Sequence, residues 1–275
     1  MKKIAPQKSL GQNFLTNKTI AARIVDLLGD ISSETVLEIG PGMGVLTEFL
    51  VERSKNFAAV EIDKRAVEFL RDKFANKLKI INTDILKFDF ADFAQSYSDR
   101  IQVIGNIPYN ISTEIFFRLF ENANYIEKAV LTVQKEVAQR VASSEGTKTY
   151  GITSVAARLV AVPRIAFDIS AGSFFPAPKV TSSVLVLDFY ENQKYKTKYN
   201  EIMELVRACF STRRKMLKNA IQNYLNLKKI DIQKLEYDLK EQNLNYLSKR
   251  AEQLSLDDFL KLYEIISKSK VVEFS

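Results

Sequence analysis

The chain has 275 residues, 46% of them hydrophobic and 27% charged, a globular composition and not a disordered one. Lys and Arg number 40 against 33 Asp and Glu, a formal charge of +7, so an anionic partner is compatible with the balance without being required by it. With no histidine and a single cysteine, Cys209, imidazole base catalysis, a His/Cys zinc site and an intrachain disulfide are excluded. The cytoplasm is the expected compartment.

Met1-Lys2-Lys3 runs into Pro6, Gln7, Lys8, Gln12 and Asn13 with no apolar stretch that reads as a signal peptide. No run of about 18 apolar residues reads as a membrane span. Short runs rich in Val and Ile then recur at Thr35–Ile39, Phe57–Ile62, Leu78–Ile81, Ile101–Ile104 and Ala129–Val133, with helical patterns between them. That spacing predicts βαβ units and a parallel sheet. Arg164–Ile169 and Ser183–Phe189 follow without room for a helix between them, which predicts a hairpin and an antiparallel edge.

Composition shifts near Tyr190, and the polar, Lys-rich stretch Glu191–Tyr199 reads as a linker. Beyond it the patterns are helical. Tyr199, Ile202, Met203, Val206, Cys209 and Phe210 form one apolar face, and Met216, Leu217, Ala220, Ile221 and Tyr224 a second. Ser255 with Asp258 reads as a capping box for a last helix. Residues 191–275 hold 17 basic and 12 acidic groups, so they carry +5 of the total charge. The expected division is 1–190, an α/β domain, and 191–275, a small all-α domain.

The first of these runs ends in Glu38-Ile39 and leads directly into Gly40-Pro41-Gly42-Met43-Gly44. Glycines at a strand's carboxyl end let the backbone turn sharply and approach a ligand. The spacing is G-x-G-x-G and not the G-x-G-x-x-G of dinucleotide binders. This turns the reading from a pyrophosphate, and from a nicotinamide-dependent oxidoreductase, toward a cofactor with a small amino-acid end. Glu61 closes the second run, where a carboxylate accepts hydrogen bonds from ribose hydroxyls. Asp63 beside it reads as a helix cap. Asp84, after the third run, is a turn residue or a partner for an adenine amino group.

After the fourth run comes Asn106-Ile107-Pro108-Tyr109, which resembles the active-site motif of methyltransferases that modify amino groups. An exocyclic amine is a poor nucleophile because its lone pair is delocalised into the ring. The Asn106 side-chain oxygen and the Ile107 or Pro108 carbonyl can accept its two N–H bonds and favour a pyramidal nitrogen. Tyr109 would stack on a flipped-out base.

Five segments together carry a closer resemblance: Ser9–Leu15, the glycine turn, Asn106–Ser112, Phe174-Phe175-Pro176-Ala177-Pro178-Lys179-Val180, and Phe210–Lys215. In this order, across nearly the whole chain, they resemble the KsgA/RsmA family of ribosomal RNA adenine dimethyltransferases. The resemblance implies a Rossmann-like, seven-stranded methyltransferase domain and a C-terminal rRNA-binding domain. It implies transfer of methyl groups from S-adenosylmethionine to N6 of two adjacent adenosines near the 3′ end of 16S rRNA, in the small subunit or its precursor, during late subunit biogenesis. Carried over position by position, it places Asn13, Leu15, Gly40, Glu61, Asp84 and Asn106 around the cofactor, with Glu38 reaching its methionine end through water. Asn106, Pro108 and Tyr109 hold the target, and Phe174 sandwiches the base opposite Tyr109. Phe175 is the alternative ring, but core packing suits it better. A monomer without a metal is expected.

Cys209 sits on an apolar helical face, so core packing is the expected role and not nucleophilic catalysis. Arg207, Arg213, Arg214, Lys215 and Lys218 fall within Leu205–Ile230, which has no acid. With Ser211-Thr212 as caps, Arg213-Arg214-Lys215 are expected in a helix's first turn, where they oppose the dipole until a phosphate binds. Two rival readings remain: an Erm-type enzyme acting on large-subunit rRNA, disfavoured by Leu10-Gly11-Gln12 and the Arg213-Arg214-Lys215 run, and a non-catalytic assembly factor, opposed by the intact Asn106 motif.

Overall fold

The computed structural model describes residues 5–7, 11–97 and 100–269; Ser9 and Leu10 of the N-terminal motif lie outside the described residues. The chain forms two compact units, Met1–Ala142 with Val160–Gln193, and Ser143–Leu159 with Lys194–Ser275. Composition suggests one division near residue 190. The packing draws it after Gln193 and adds an excursion, Ser143–Leu159, that belongs with the C-terminal helices.

In the first unit the order is β1 (Phe14–Leu15), α1 (Lys18–Asp26), β2 (Thr35–Ile39), α2 (Thr47–Arg53), β3 (Asn56–Val60), α3 (Lys64–Phe74), β4 (Lys79–Ile81), α4 (Phe90–Gln95), β5 (Ile101–Asn106), α5 (Ser112–Glu121), β6 (Ile126–Gln134) and α6 (Lys135–Ala142). After the excursion come β7 (Ala161–Ile169), β8 (Phe174–Phe175) and β9 (Ser182–Phe189). Among the described residues, seven strands form one sheet in the order β4-β3-β2-β5-β6-β9-β7. The first five of these pair in parallel, while β9 runs antiparallel to both β6 and β7. The two antiparallel strands pair as their sequence suggests, with β9 inserted between β6 and β7.

Burial explains the residue choice. All five residues of β2 and five of the six in β5 are buried, because helices cover both faces of the parallel region. At the sheet's edge, β7 mixes buried and exposed residues and tolerates Pro163. Each helix turns one apolar stripe inward. In α3 the buried residues are Ala66, Val67, Leu70 and Phe74, and Asp63 caps the N-terminus by accepting the Arg65 backbone N–H at 3.1 Å. From β2 the chain steps outward to β3 and β4, then returns to the other side of β2 as β5. This reversal opens a crevice at the carboxyl ends of β2 and β5. A separate two-stranded ribbon pairs β1 with β8, Phe14 opposite Phe175 and Leu15 opposite Phe174.

The second unit holds α7 (Ile152–Val160, its last residue in the first unit), α8 (Tyr199–Phe210), α9 (Leu217–Ala220), α10 (Gln222–Leu227), α11 (Ile232–Glu241) and α12 (Leu256–Lys268). The expected face of α8 is inside: Tyr199, Ile202, Met203, Val206 and Cys209 are buried. The Ser255–Asp258 capping box is formed. The second expected face breaks into two short helices, and Met216 is 56% exposed, because its extended backbone (ψ 153°) precedes α9 and does not share the helical phase. No helix among the described residues is long and apolar enough to cross a membrane.

Candidate active site

The glycine turn after β2, Glu61 after β3, Asp84 after β4 and Asn106 at the end of β5 all stand at carboxyl ends of parallel strands. They converge on one cleft of about 270 Å³, which Asn13 and Gln12 also line. A Cβ added at Gly40 (φ +63°) meets no atom within 4 Å, so that residue borders open space. At Gly42 (φ +56°) a Cβ would stand 2.8 Å from the Phe14 ring, so glycine is needed to seat the β1 segment against the turn.

Glu61 is 5% exposed. Its carboxylate accepts the backbone N–H of Gly42 at 3.1 Å and of Asp63 at 2.9 Å, which ties the glycine turn to the end of β3. Burial raises its pKa, and those two N–H bonds partly counteract it. Asp84 accepts the Leu86 N–H at 2.9 Å and lines the cleft as well, so it is both turn residue and wall. Ile62, Ile85 and Leu86 add an apolar surface beside these acids.

Asn106 has a fixed orientation. Its Nδ2 donates to the Asn13 carbonyl at 2.7 Å, which leaves the side-chain oxygen as the acceptor on offer in the cleft. The Ile107 N–H donates to the Thr132 carbonyl of β6 at 3.0 Å and ties the loop to the sheet. Among the described residues, the Pro108 carbonyl accepts only a 3.3 Å turn bond from the Ile111 N–H and keeps a second lone pair. Tyr109 lines the cleft, and its hydroxyl lies 2.6 Å from Ser182 Oγ. Glu38, 1% exposed, accepts the Thr47 hydroxyl bond at 2.7 Å, and burial pushes its carboxyl up to about 8. It borders a small adjoining cavity of about 20 Å³ shared with Leu15, Gly40 and Asn106, room for one water.

Five of the six expected cofactor residues line the cleft; Leu15 lines the adjoining cavity instead. The two phenylalanines depart from expectation. Phe174 is 4% exposed and packs in the core, while Phe175, expected inside, is 62% exposed. Consecutive strand residues face opposite sides, and the Leu15↔Phe174 side of the ribbon faces the core.

The basic run also departs from expectation. Ser211 is the C-cap of α8, and Arg213, Arg214 and Lys215 follow the C-terminus of a helix instead of opening one. The dipole favours positive charge there, so the expected conflict that a phosphate would relieve does not arise. Arg213 pairs with Glu252 at 3.1 Å and donates to the Lys148 and Tyr150 carbonyls. Lys218 pairs with Glu236. Arg207 stands in the last turn of α8. Arg214 and Lys215 are exposed and, among the described residues, have no ion pair.

Sequence reasoning missed Ser182, Ile62 and Gln12. Ser182 stands two residues past the Phe174–Val180 motif, and Ile62 follows the ribose-position acid. Gln12 donates to Asp63 at 3.1 Å, a contact 51 residues away in the chain that no local pattern reveals. Cys209 is buried with its thiol pKa raised by burial, as a core residue.

A reversed parallel sheet with an acid-flanked glycine turn and an amide-proline-tyrosine loop at its carboxyl edge defines a Rossmann-like methyltransferase. The chain belongs to the ribosomal RNA adenine dimethylase family, whose model matches residues 5–268. It is 41% identical over 270 residues to the ribosomal RNA small subunit methyltransferase A of Cytophaga hutchinsonii, covering 97% of this chain and 99% of that one. Among solved structures, a dimethyladenosine transferase from Plasmodium falciparum matches with a TM-score of 0.79 and 27% identity, over 93% of this chain and 98% of that one. The 23S rRNA methyltransferase ErmE matches with a TM-score of 0.69 at 23% identity, over 93% and 100%, a likeness of fold alone.

Proposed function

We propose that the protein uses S-adenosylmethionine to dimethylate N6 of two adjacent adenosines in the 3′-terminal hairpin loop of 16S rRNA, late in small-subunit assembly, as a cytoplasmic monomer. The open space beside Gly40, the buried Glu61 carboxylate and the apolar wall of Ile62 and Ile85 suit the cofactor's amino-acid, ribose and adenine parts respectively. Asn13, Asp84 and Asn106 complete that wall, with Leu15 behind it and Glu38 reaching in through one water. When bound, the cofactor supplies a methyl group on a sulfonium.

One observation carries the target assignment: the Asn106 amide is turned by the Asn13 carbonyl so that its oxygen is free to accept. That oxygen and the Pro108 carbonyl accept the two N–H hydrogens of an adenine amine, which favours a pyramidal nitrogen whose lone pair is withdrawn from conjugation with the ring. Tyr109 presents its ring to the base. A stacking role for Phe174 requires its ring to leave the core. For the RNA, Arg214 and Lys215 are exposed cations with no ion pair among the described residues; Arg207 and Lys218 contribute from neighbouring positions, and Arg213 shapes the turn that displays them.

Purified small subunits from a strain lacking this activity, incubated with labelled cofactor, should incorporate four methyls per subunit at two adjacent adenosines. Methylation of 23S rRNA instead, or subunit binding without methyl transfer, overturns the reading.

A further inference from the structure

We infer that Ser182 is a positioning residue for Tyr109: its hydroxyl anchors the far end of the tyrosine side chain to the sheet and fixes the ring as one wall of the target-base site. This rests on the proposed base-facing role of Tyr109. Tyr109 opens a single 3₁₀ turn, Tyr109–Ile111, that has no side-chain cap at its start. A phenol ring on such a loop is free to turn about two side-chain torsions. A bond at its hydroxyl restricts both and leaves the faces of the ring clear for a base.

Ser182 supplies that bond from a rigid place. It is fully buried, and it stands in β9 with Gln134 of β6 opposite on one side and Ile169 of β7 on the other. The Thr181 carbonyl before it accepts the Lys135 N–H at 2.9 Å, so the residue is held from the chain side as well. The O···O separation of 2.6 Å is short for a pair of hydroxyls. Burial raises the Tyr109 phenol and keeps it neutral, able to donate or accept. The next residue, Ser183, is used differently: it donates to Asp168 at 2.6 Å, which pairs with Lys135 at 2.6 Å. Of the two serines, only Ser182 reaches the cleft loop.

Ser182→Ala and Tyr109→Phe remove the same bond from its two ends. Each should slow single-turnover methylation at saturating subunit and cofactor by about tenfold, with cofactor affinity unchanged. The double variant should be no slower than the slower single one, because one bond is at stake, and Ser182→Thr, which restores a hydroxyl, should recover the rate. Wild-type rate in Ser182→Ala, or losses that multiply in the double variant, overturns the inference. A purely structural Ser182 would lower the melting temperature and leave the rate of the folded enzyme untouched. If Ser182→Ala fails to fold, Tyr109→Phe alone decides: a wild-type rate there rules out the anchor. Tyr109→Ala separates the two levels. If it methylates normally, the base-facing role fails; if it is inactive while Ser182→Ala is normal, only the anchor fails.

Discussion

At the residue scale, the Asn13 carbonyl gives Asn106 its direction, and that direction predicts where its loss is felt. The amine's hydrogens become better donors as its nitrogen gains positive character, so the Asn106 oxygen matters more in the transition state than in the ground state. Asn106→Ala should cut single-turnover methylation on the order of 10²–10³-fold while subunit binding, measured by filtration, barely changes. Glu38 yields a different prediction. Its carboxyl, pushed up to about 8 by burial, keeps a proton that the unfolded chain releases above about pH 4.5. The unfolded state therefore binds fewer protons in that window, and stability falls as pH rises through it, levelling off above about pH 8. The contribution is at most roughly 1.4 kcal/mol per pH unit. Glu38→Gln keeps an acceptor for Thr47 and should lack this slope, a difference that urea denaturation from pH 5 to 8 will read.

At the scale of elements, the two-residue strand β8 places neighbouring rings on opposite sides. Phe174→Ala opens a cavity in the core and should lower stability by about 3–5 kcal/mol. Phe175→Ala, at an exposed ring, should stay within about 0.5 kcal/mol of wild type. Equal losses in chemical denaturation would contradict the burial reversal. The turn after α8 divides in the same way. Arg213 is spent on the Lys148 and Tyr150 carbonyls and on Glu252, so Arg213→Gln should reduce stability. Arg214 and Lys215 are displayed, and replacing both by Gln should flatten the salt dependence of RNA binding by roughly 0.7–0.9 log–log units per lost phosphate contact. An unchanged slope in a binding titration from low to moderate salt would reduce this pair to a solvated surface.

At the scale of the whole molecule, the chain leaves the α/β unit at Ser143 and completes the helical unit before returning. Tyr150 is the reason the excursion matters. It is fully buried, its ring lies 6.1 Å from Phe210, and Phe210 lies 5.9 Å from Phe259 of α12. Its hydroxyl is buried and, among the described residues, has no hydrogen-bond partner. Removing a buried unpaired hydroxyl relieves a desolvation penalty. Tyr150→Phe should therefore raise stability by about 1 kcal/mol, and Tyr150→Ala should lower it by about 3–5 kcal/mol. Thermal melts of the full chain will show whether the two substitutions move in opposite directions.

What the sequence determined by itself is what short-range chemistry encodes. Val- and Ile-rich runs at βαβ spacing carried the parallel sheet, the 3.6-residue period carried α8, and Ser255 with Asp258 carried the last capping box. The glycine turn, Glu61, Asp84 and the Asn106 loop were legible because each is local and stands at or just past the carboxyl end of a strand. Only the tertiary structure decided the rest. Leu15 and Phe174 face the core because β1 pairs with β8, 159 residues away from Leu15 to Phe174 in the chain, and a strand's two faces cannot be told apart from two residues. Arg213 lost its expected role because Lys148, Tyr150 and Glu252 meet it in space. Ser182 and Gln12 gained roles for the same reason, since their partners lie 73 and 51 residues distant. Local pattern specifies which elements form and where their polar ends stand; which side chain completes a site depends on packing between elements that share no local signal.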